Sequence, residues 1–179
     1  HDHQPMVLVE AGDGLLDRDL DFFAGKLGLG VGPLVLHLME EQGIRALGRL
    51  NGMFAFGFLD ERKRQLLLCR DRLGIKPLYY ACLPDVFLFA SEIKALFRHP
   101  RLKAELNRDK IGEFVQHRYI AGEMTSFRNV RELLPGHVLK LDLDTLAKET
   151  TCYWEAPSRA HKDSGEEENL GNQFRRSVG

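Results

Sequence analysis

Cys69, Cys82 and Cys152 are the residues of this chain whose chemistry could supply a nucleophile. A cysteine attacks a carbonyl carbon as its thiolate, which forms when a nearby base or the residue's own α-amine removes the proton. All three cysteines are internal, and their odd number and their spacing fit neither a disulfide framework nor a metal site. The pattern predicts reduced thiols in the core or near the surface of a cytoplasmic protein.

The histidines give no metal site either. There are seven, and no two have the spacing that zinc ligands share. We therefore expect each to be an ordinary core or surface residue. No group of residues in this sequence predicts a bound metal.

Arg70 and Asp71 are the charged neighbours that most invite a catalytic interpretation. They follow the apolar run Gln65–Cys69, at the point where a predicted strand ends. An Arg–carboxylate pair that ties the β core together is the preferred interpretation, because guanidinium and carboxylate match each other's geometry. Gly74, three residues later, predicts a tight turn.

The overall composition excludes several classes of partner. A chain of 179 residues is long enough for one domain with its own core. The formal net charge of -1 argues against nucleic acid and against an anionic membrane surface, since both favour a basic face. No apolar run approaches the ~20 residues that a membrane-spanning helix needs.

Alternating and apolar runs predict a β-rich domain. The expected strands lie at Met6–Glu10, Met53–Leu59, Gln65–Cys69, Lys76–Tyr80 and Phe87–Ala90, followed by a hairpin of His137–Leu143 and Thr151–Trp154. In Met53–Leu59, small Ala55 and Gly57 alternate with phenylalanines, so one face should pack closely against another sheet.

Helical patterns and capping residues mark four helical regions. They are a weak helix at Asp17–Leu27, two short helices from Pro33 onward with a bend at Gly43, a helix at Glu92–Phe97, and one at Asn107–Tyr119. Ser91 and Asn107 are the predicted N-caps of the last two. Residues after Pro157 become polar and are typical of a linker.

Several blocks, in a fixed order, carry a resemblance to a known family. They are His3-Gln4-Pro5-Met6, Leu50–Phe56, Arg70–Tyr80, Phe89–Leu96, Leu134–His137 and Tyr153-Trp154. Together they resemble the N-terminal glutaminase domain of glutamine-hydrolysing asparagine synthetases, from His3 to about Tyr153. Any one block alone would be weak, and their common order makes chance an implausible explanation.

The resemblance implies a fold, a chemistry and a partner. The fold is α+β, a four-layer αββα sandwich of the N-terminal-nucleophile hydrolase type, and the resemblance leaves open whether it is complete at its N-terminus. Residues 1–156 would form this domain, and residues 157–179 a linker and the start of a synthetase domain. That domain, present in cis or in trans, would bind ATP and Mg, and this chain itself would need no cofactor.

The front of the sequence departs from the family pattern. Relatives of this kind use a first-residue cysteine, whereas position 1 is His1 here. Of the family's Asn-Gly-Glu turn only Gly12 is kept, with Asp13 as a shorter acid, and Val31 stands where an aspartate would meet the substrate ammonium. We therefore assign no catalytic residue, and we name Gly12 and Asp13 as degenerate substrate-binding positions.

Two functional interpretations remain open. One is the glutaminase-type domain of an asparagine-synthetase-like amidotransferase, lacking its catalytic front. The other is a non-catalytic scaffold that docks a synthetase domain. A Met-Cys-Gly start upstream of His1 in the gene product would favour the first, and its absence the second. An open sheet edge would also allow a homodimer.

Overall fold

The eight strands of the described residues form two antiparallel sheets. A computed structural model of the chain describes residues 33–157 and, as backbone only, residues 7–10. The first sheet has the order β1 (Val7–Glu10), β5 (Val86–Ala90), β4 (Tyr79–Cys82), β6 (Arg131–Glu132). The second has the order β2 (Ala55–Asp60), β3 (Gln65–Arg70), β7 (His137–Asp142), β8 (Lys148–Cys152). The predicted helix at Asp17–Leu27 lies outside the described residues.

The two sheets pack face to face over one apolar core. Tyr80, Phe87 and Phe89 of the first sheet meet leucines of the second, such as Leu68 and Leu139. Their side chains meet because alternate residues of a strand point to one face of its sheet. The sheets are therefore the two inner layers of the molecule.

The pattern of small and large residues in β2 sets how closely the sheets approach. A Cβ added to Gly57 would lie 3.2 Å from the ring of Phe89 in the opposite sheet. Phe56 and Phe58 belong instead to the core on the other face of β2. The prediction that the face with the small residues packs closely against another sheet is confirmed, because a larger residue at position 57 would push against Phe89 of the first sheet.

Helices cover the outer face of each sheet. α1 (Pro33–Gln42) and a 3₁₀ helix (Gly43–Arg49) pack Met39, Ala46 and Leu47 against the second sheet. α2 (Ile93–Leu96) packs Ala95 and Leu96 against the first. The layering is αββα, as predicted, and the bend at Gly43 is confirmed with φ +56.

Three predicted strand boundaries were wrong. β2 begins at Ala55 rather than at Met53, whose side chain is half exposed. β4 is Tyr79–Cys82 rather than Lys76–Tyr80, and β8 is Lys148–Cys152 rather than Thr151–Trp154. In each case hydrogen bonds outside the sheet hold the residues that were predicted to belong to the strand.

β2 is buried although it is an outer strand among the described strands of its sheet. Its residues Ala55–Phe58 are buried, since the first sheet covers one face of β2 and the helical layer covers the other. The other outer strand, β8, is largely exposed and carries Lys148 and Glu149. Charges on an outer strand discourage pairing with another chain. The homodimer stays a prediction.

The helix caps differ from those the sequence predicts. α2 has Glu92 rather than Ser91 at its N-cap. The last helix, α3 (Arg108–His117), does follow Asn107, but the Asn107 side chain donates a 3.4 Å hydrogen bond to the Thr125 carbonyl instead of capping. No residue of α3 is buried. Its apolar residues Phe114 and Val115 are exposed, at 46% and 71%.

Tyr80 makes the stability of the sandwich sensitive to alkali. Burial, and then the negative charge of Glu123, raise the pKa of Tyr80 from its ordinary value of 10.0 to about 12. The folded state thus holds this proton more tightly than the unfolded chain does. The resulting stabilisation is complete below pH 10 and is lost as the pH rises through about 12.

We expect Tyr80→Phe to unfold with a weaker pH dependence than the native chain between pH 10 and 12. Denaturant unfolding at a series of pH values measures this. Tyr119→Phe is the control, because Tyr119 is exposed. An equal loss of stability with pH in the native chain and in Tyr80→Phe would contradict the assignment.

Candidate functional site

The candidate site is a polar cluster at the loop of residues 71–78. This loop connects β3 in the second sheet to β4 in the first. We name Arg70, Asp71 and this loop the crossover hub. Two of its charged residues are buried, with Arg70 5% and Asp71 1% exposed. Buried charges need partners, so their contacts define what the cluster does.

Asp71 organises the loop through backbone amides. Its Oδ1 accepts hydrogen bonds from the N–H groups of Leu73 at 3.0 Å and Ile75 at 3.1 Å. Its Oδ2 accepts from the N–H groups of Lys76 at 3.1 Å and Phe54 at 3.3 Å. One carboxylate therefore folds its own loop and ties it to the segment before β2. These bonds explain why residues 76 and 53 lie outside the strands that the sequence predicts for them.

Arg70 joins the two sheets. Its Nε donates to the Lys76 carbonyl at 2.9 Å, and its Nη2 donates to the Gly74 carbonyl at 2.8 Å. Its Nη1 donates to the Leu133 carbonyl and lies 2.7 Å from Glu132 Oε1 in β6. Arg70 does pair with a carboxylate, but that of Glu132 and not of Asp71, because Asp71 uses both its oxygens on backbone amides.

Gly74 provides the turn of the hub. It has φ +65, which L-residues other than glycine rarely adopt. An added Cβ would also lie 2.6 Å from Pro135 Cγ and 3.2 Å from Arg70 Cζ. The loop can therefore fold around the guanidinium only with glycine here.

The C-terminal end of the described chain is attached to the same hub. The Tyr153 hydroxyl donates a 2.6 Å hydrogen bond to the Arg70 carbonyl, and the Arg72 guanidinium lies 5.8 Å from the centroid of the Trp154 ring. The Gly136 carbonyl accepts from the N–H groups of Tyr153 at 2.9 Å and Trp154 at 3.2 Å. These contacts take residues 153 and 154 out of the strand predicted for them. Burial raises the pKa of the Tyr153 hydroxyl well above its usual value.

Gly136→Ala is expected to destabilise the domain by roughly 1–3 kcal/mol. Gly136 has φ +68, and an added Cβ would overlap the Trp154 carbonyl oxygen, so the anchored end would have to move. Gly112→Ala is the matched control. Gly112 lies in α3 with open space around it, and alanine there should stabilise by about 0.5–1 kcal/mol. Urea unfolding measures both, and two changes of the same sign would contradict this account.

Three exposed apolar side chains belong to the hub or to the segment that Asp71 ties to it. Met53, Leu73 and Ile75 are 50%, 70% and 53% exposed. Met53 directly precedes Phe54, and the amides of Phe54, Leu73 and Ile75 all bind the one carboxylate of Asp71. We name Met53, Leu73 and Ile75 the loop patch. A rigid backbone holding exposed apolar groups is typical of an interaction surface.

The cysteines do not form a nucleophilic site in the described residues. Cys69 is fully buried, and burial raises the pKa of its thiol far above the usual range, so it stays protonated. Cys82 is exposed, and Cys152 is half-buried with its Sγ 3.2 Å from the Trp154 carbonyl oxygen. No group of potential metal ligands occurs among residues 7–10 and 33–157.

The substrate-binding positions that the sequence predicts lie elsewhere. His1, Gly12, Asp13 and Val31 are all outside the described residues. The structure therefore brings together Arg70, Asp71 and Gly74 from the predicted set, and leaves the role of the others as a prediction. Sequence reasoning missed Glu132, because nothing local links it to an arginine 62 positions earlier.

Comparison with known proteins identifies the class. The family model described as a glutamine amidotransferase domain matches residues 32–154. The chain thus belongs to the glutamine amidotransferase domain family, and within it to the asparagine synthetase type. Of the helices in the described residues, none is long and apolar enough to cross a membrane.

Individual relatives are similar over most of this chain. It is 37% identical over 130 residues to the glutamine-hydrolysing asparagine synthetase 2 of Bacillus subtilis, covering 68% of this chain. It is 30% identical over 150 residues, 81% of this chain, to the amidase chyE of Penicillium rubens. The chain spans only 17% and 21% of those two relatives. The solved glutamine phosphoribosylpyrophosphate amidotransferase of B. subtilis matches with TM-score 0.46 and 18% identity, over 89% of this chain and 31% of that one.

Proposed function

We propose that this chain is the glutaminase-type part of an asparagine-synthetase-like amidotransferase and that the 179 residues alone do not hydrolyse glutamine. In the parent reaction, glutamine hydrolysis supplies ammonia to a carboxylate that ATP has activated, such as that of aspartate. Residues 1–156 form the glutaminase-type domain, and residues 157–179 lead into a synthetase domain that uses ATP and Mg. A cytoplasmic location suits its free thiols.

The loop patch is the observation that supports this role most directly. Its three side chains expose apolar surface on a backbone that Asp71 fixes and Arg70 braces. An apolar surface on a rigid support costs little ordering entropy when it binds. We propose that the patch docks the synthetase domain, because the chain is similar to a small part of much longer synthetases.

The 179-residue chain is expected to release no glutamate from glutamine. An N-terminal-nucleophile glutaminase needs a thiol on a residue with a free α-amine, and Cys69, Cys82 and Cys152 are internal. An enzyme-coupled glutamate assay measures this, with Cys69→Ser, Cys82→Ser and Cys152→Ser as variants. Turnover that one of these substitutions abolishes would overturn the proposed inactivity.

Docking can be tested in the full-length gene product. Leu73→Lys together with Ile75→Lys should lower glutamine-dependent synthesis about tenfold and leave synthesis from added ammonia unchanged, because only the coupling of the two domains is weakened. Val115→Lys is the matched control, since Val115 is 71% exposed on α3, outside the loop patch. Unchanged coupling in the double variant would argue against docking through this surface.

A second candidate function is a non-catalytic scaffold that docks the synthetase domain. The buried Cys69 and the intact loop patch fit a domain that binds without reacting. The two candidates differ in one result. The scaffold predicts that the full-length product uses ammonia and never glutamine, whereas the glutaminase-type domain predicts use of both.

A further inference from the structure

A thiol and an amine lie close together at the rim of the sandwich, apart from the crossover hub. Lys148 Nζ donates a 3.5 Å hydrogen bond to Cys82 Sγ. Cys82 ends β4 in the first sheet, and Lys148 begins β8 in the second. Both side chains are exposed. The pair therefore joins a thiol and an amine across the two sheets where solvent reaches them.

Strand register explains why these side chains meet. Cys82 lies opposite Phe87, and Lys148 lies opposite Leu141. Phe87 and Leu141 both belong to the core between the sheets. Because residues directly opposite in an antiparallel pair share a face, Cys82 and Lys148 also point into the gap between the sheets. Both residues lie in hydrogen-bonded strands, so the sheets themselves fix the approach.

Lys148 has a further contact that keeps it near the sulfur. Its Nζ lies 5.5 Å from the centroid of the Tyr80 ring, on the same face of β4 as Cys82. An inward charge on an outer strand also discourages pairing with other chains. That role needs only the lysine. Edge protection does not explain why a thiol lies within contact distance of the Lys148 amine, where the two groups can react with each other.

We propose that Cys82 and Lys148 form a reversible covalent cross-link when the chain meets a peroxide. The Cys82 thiolate first attacks hydrogen peroxide: the S–O bond forms, the O–O bond breaks, and the departing hydroxide takes up a proton as water. This step oxidises the sulfur to a sulfenic acid, and it reduces the peroxide.

The lysine completes the cross-link. Lys148, after losing a proton to solvent, attacks the sulfenic sulfur through its free amine. The S–N bond forms, the S–O bond breaks, and the hydroxide leaves with a proton as a second water, giving a sulfenamide. A thiol reductant attacks the sulfur, restores the amine and returns Cys82 as a mixed disulfide, which a second thiol reduces.

Peptide mapping of the full chain after treatment with hydrogen peroxide tests the proposal. We expect one pair of peptides joined between Cys82 and Lys148, with a mass about two hydrogen atoms below their sum, and release of both peptides by a thiol reductant. Lys148→Arg keeps the positive charge without a nucleophilic amine. It should lose the joined peptides and let Cys82 continue to the sulfinic acid, which a thiol does not reverse.

Two further variants test which cysteine forms the cross-link. Cys82→Ser should abolish the joined peptides, while Cys152→Ser should retain them, since Cys152 contacts the Trp154 carbonyl and not the lysine. Absence of joined peptides in the native chain would overturn the proposal, as would sulfinic acid formation at Cys82 that is equal in the native chain and in Lys148→Arg. Joined peptides that contain an added oxygen atom would contradict the direct S–N bond.

Discussion

Asp71→Asn is expected to lower the free energy of unfolding by roughly 2–5 kcal/mol. The carboxylate accepts four backbone N–H groups, two on each oxygen. The amide of asparagine keeps one oxygen and replaces the other by an NH₂ group, which donates and cannot accept. Two of the four N–H groups then face a donor, and Asp71 loses half of the contacts through which it anchors the loop of residues 71–78.

Urea unfolding of the native chain and the variant measures the effect of Asp71→Asn. Asp144→Asn is the matched control, because the Asp144 side chain is 57% exposed and pairs with Arg64 at the surface. Exposed pairs contribute about 0–1 kcal/mol, so this control should unfold almost as the native chain does. If the two variants lose equal stability, Asp71 does not have the organising role that its contacts indicate.

Arg70→Met is the second change with a large expected effect, a loss of about 3–5 kcal/mol. Methionine fills most of the same volume, so the loss measures the guanidinium rather than a cavity. The Glu132 carboxylate would lose its ion pair with residue 70. The carbonyls of Gly74, Lys76 and Leu133 would lose the donor that Arg70 provides. Arg70→Lys should lie in between, because one ammonium cannot reach all these acceptors.

The double variant Arg70→Met with Glu132→Gln separates the ion pair from the rest of the network. If the unpaired carboxylate carries part of the cost, the double variant should be more stable than the sum of the two single losses predicts. Arg101→Met is the control, because Arg101 and Asp85 pair with half-exposed side chains. Additive losses would show that Arg70 acts through its carbonyl contacts alone.

The layers of this fold could be predicted because they follow from apolar periodicity and the family resemblance. The alternation of Gly57 with Phe56 and Phe58 fixes which face of β2 meets the other sheet, and this prediction was confirmed. Pro33 and Gly43 likewise mark the start of α1 and the bend that follows it. These signals are local, so a single sequence contains them.

The boundaries near the hub could not be predicted, because distant contacts set them. Met53 has a strand-forming sequence around it, yet Asp71, 18 positions away, binds the neighbouring amide of Phe54 outside the strand. The partner of Arg70 is a glutamate in a strand of two residues, too short for any pattern to indicate. The substrate-binding positions depend on residues 1–32, where the sequence lacks the expected motif.

The anchored end of the described chain has a consequence for how a second domain would find this one. Tyr153 and Trp154 are held on Arg70 and Arg72, beside the loop patch. The described chain therefore ends close to the surface on which we propose that a following domain docks. Joining two domains in one chain makes their contact intramolecular, and effective concentrations then reach about the millimolar range, at which a weak interface is already occupied. The loop patch can for this reason be small and still keep two domains together.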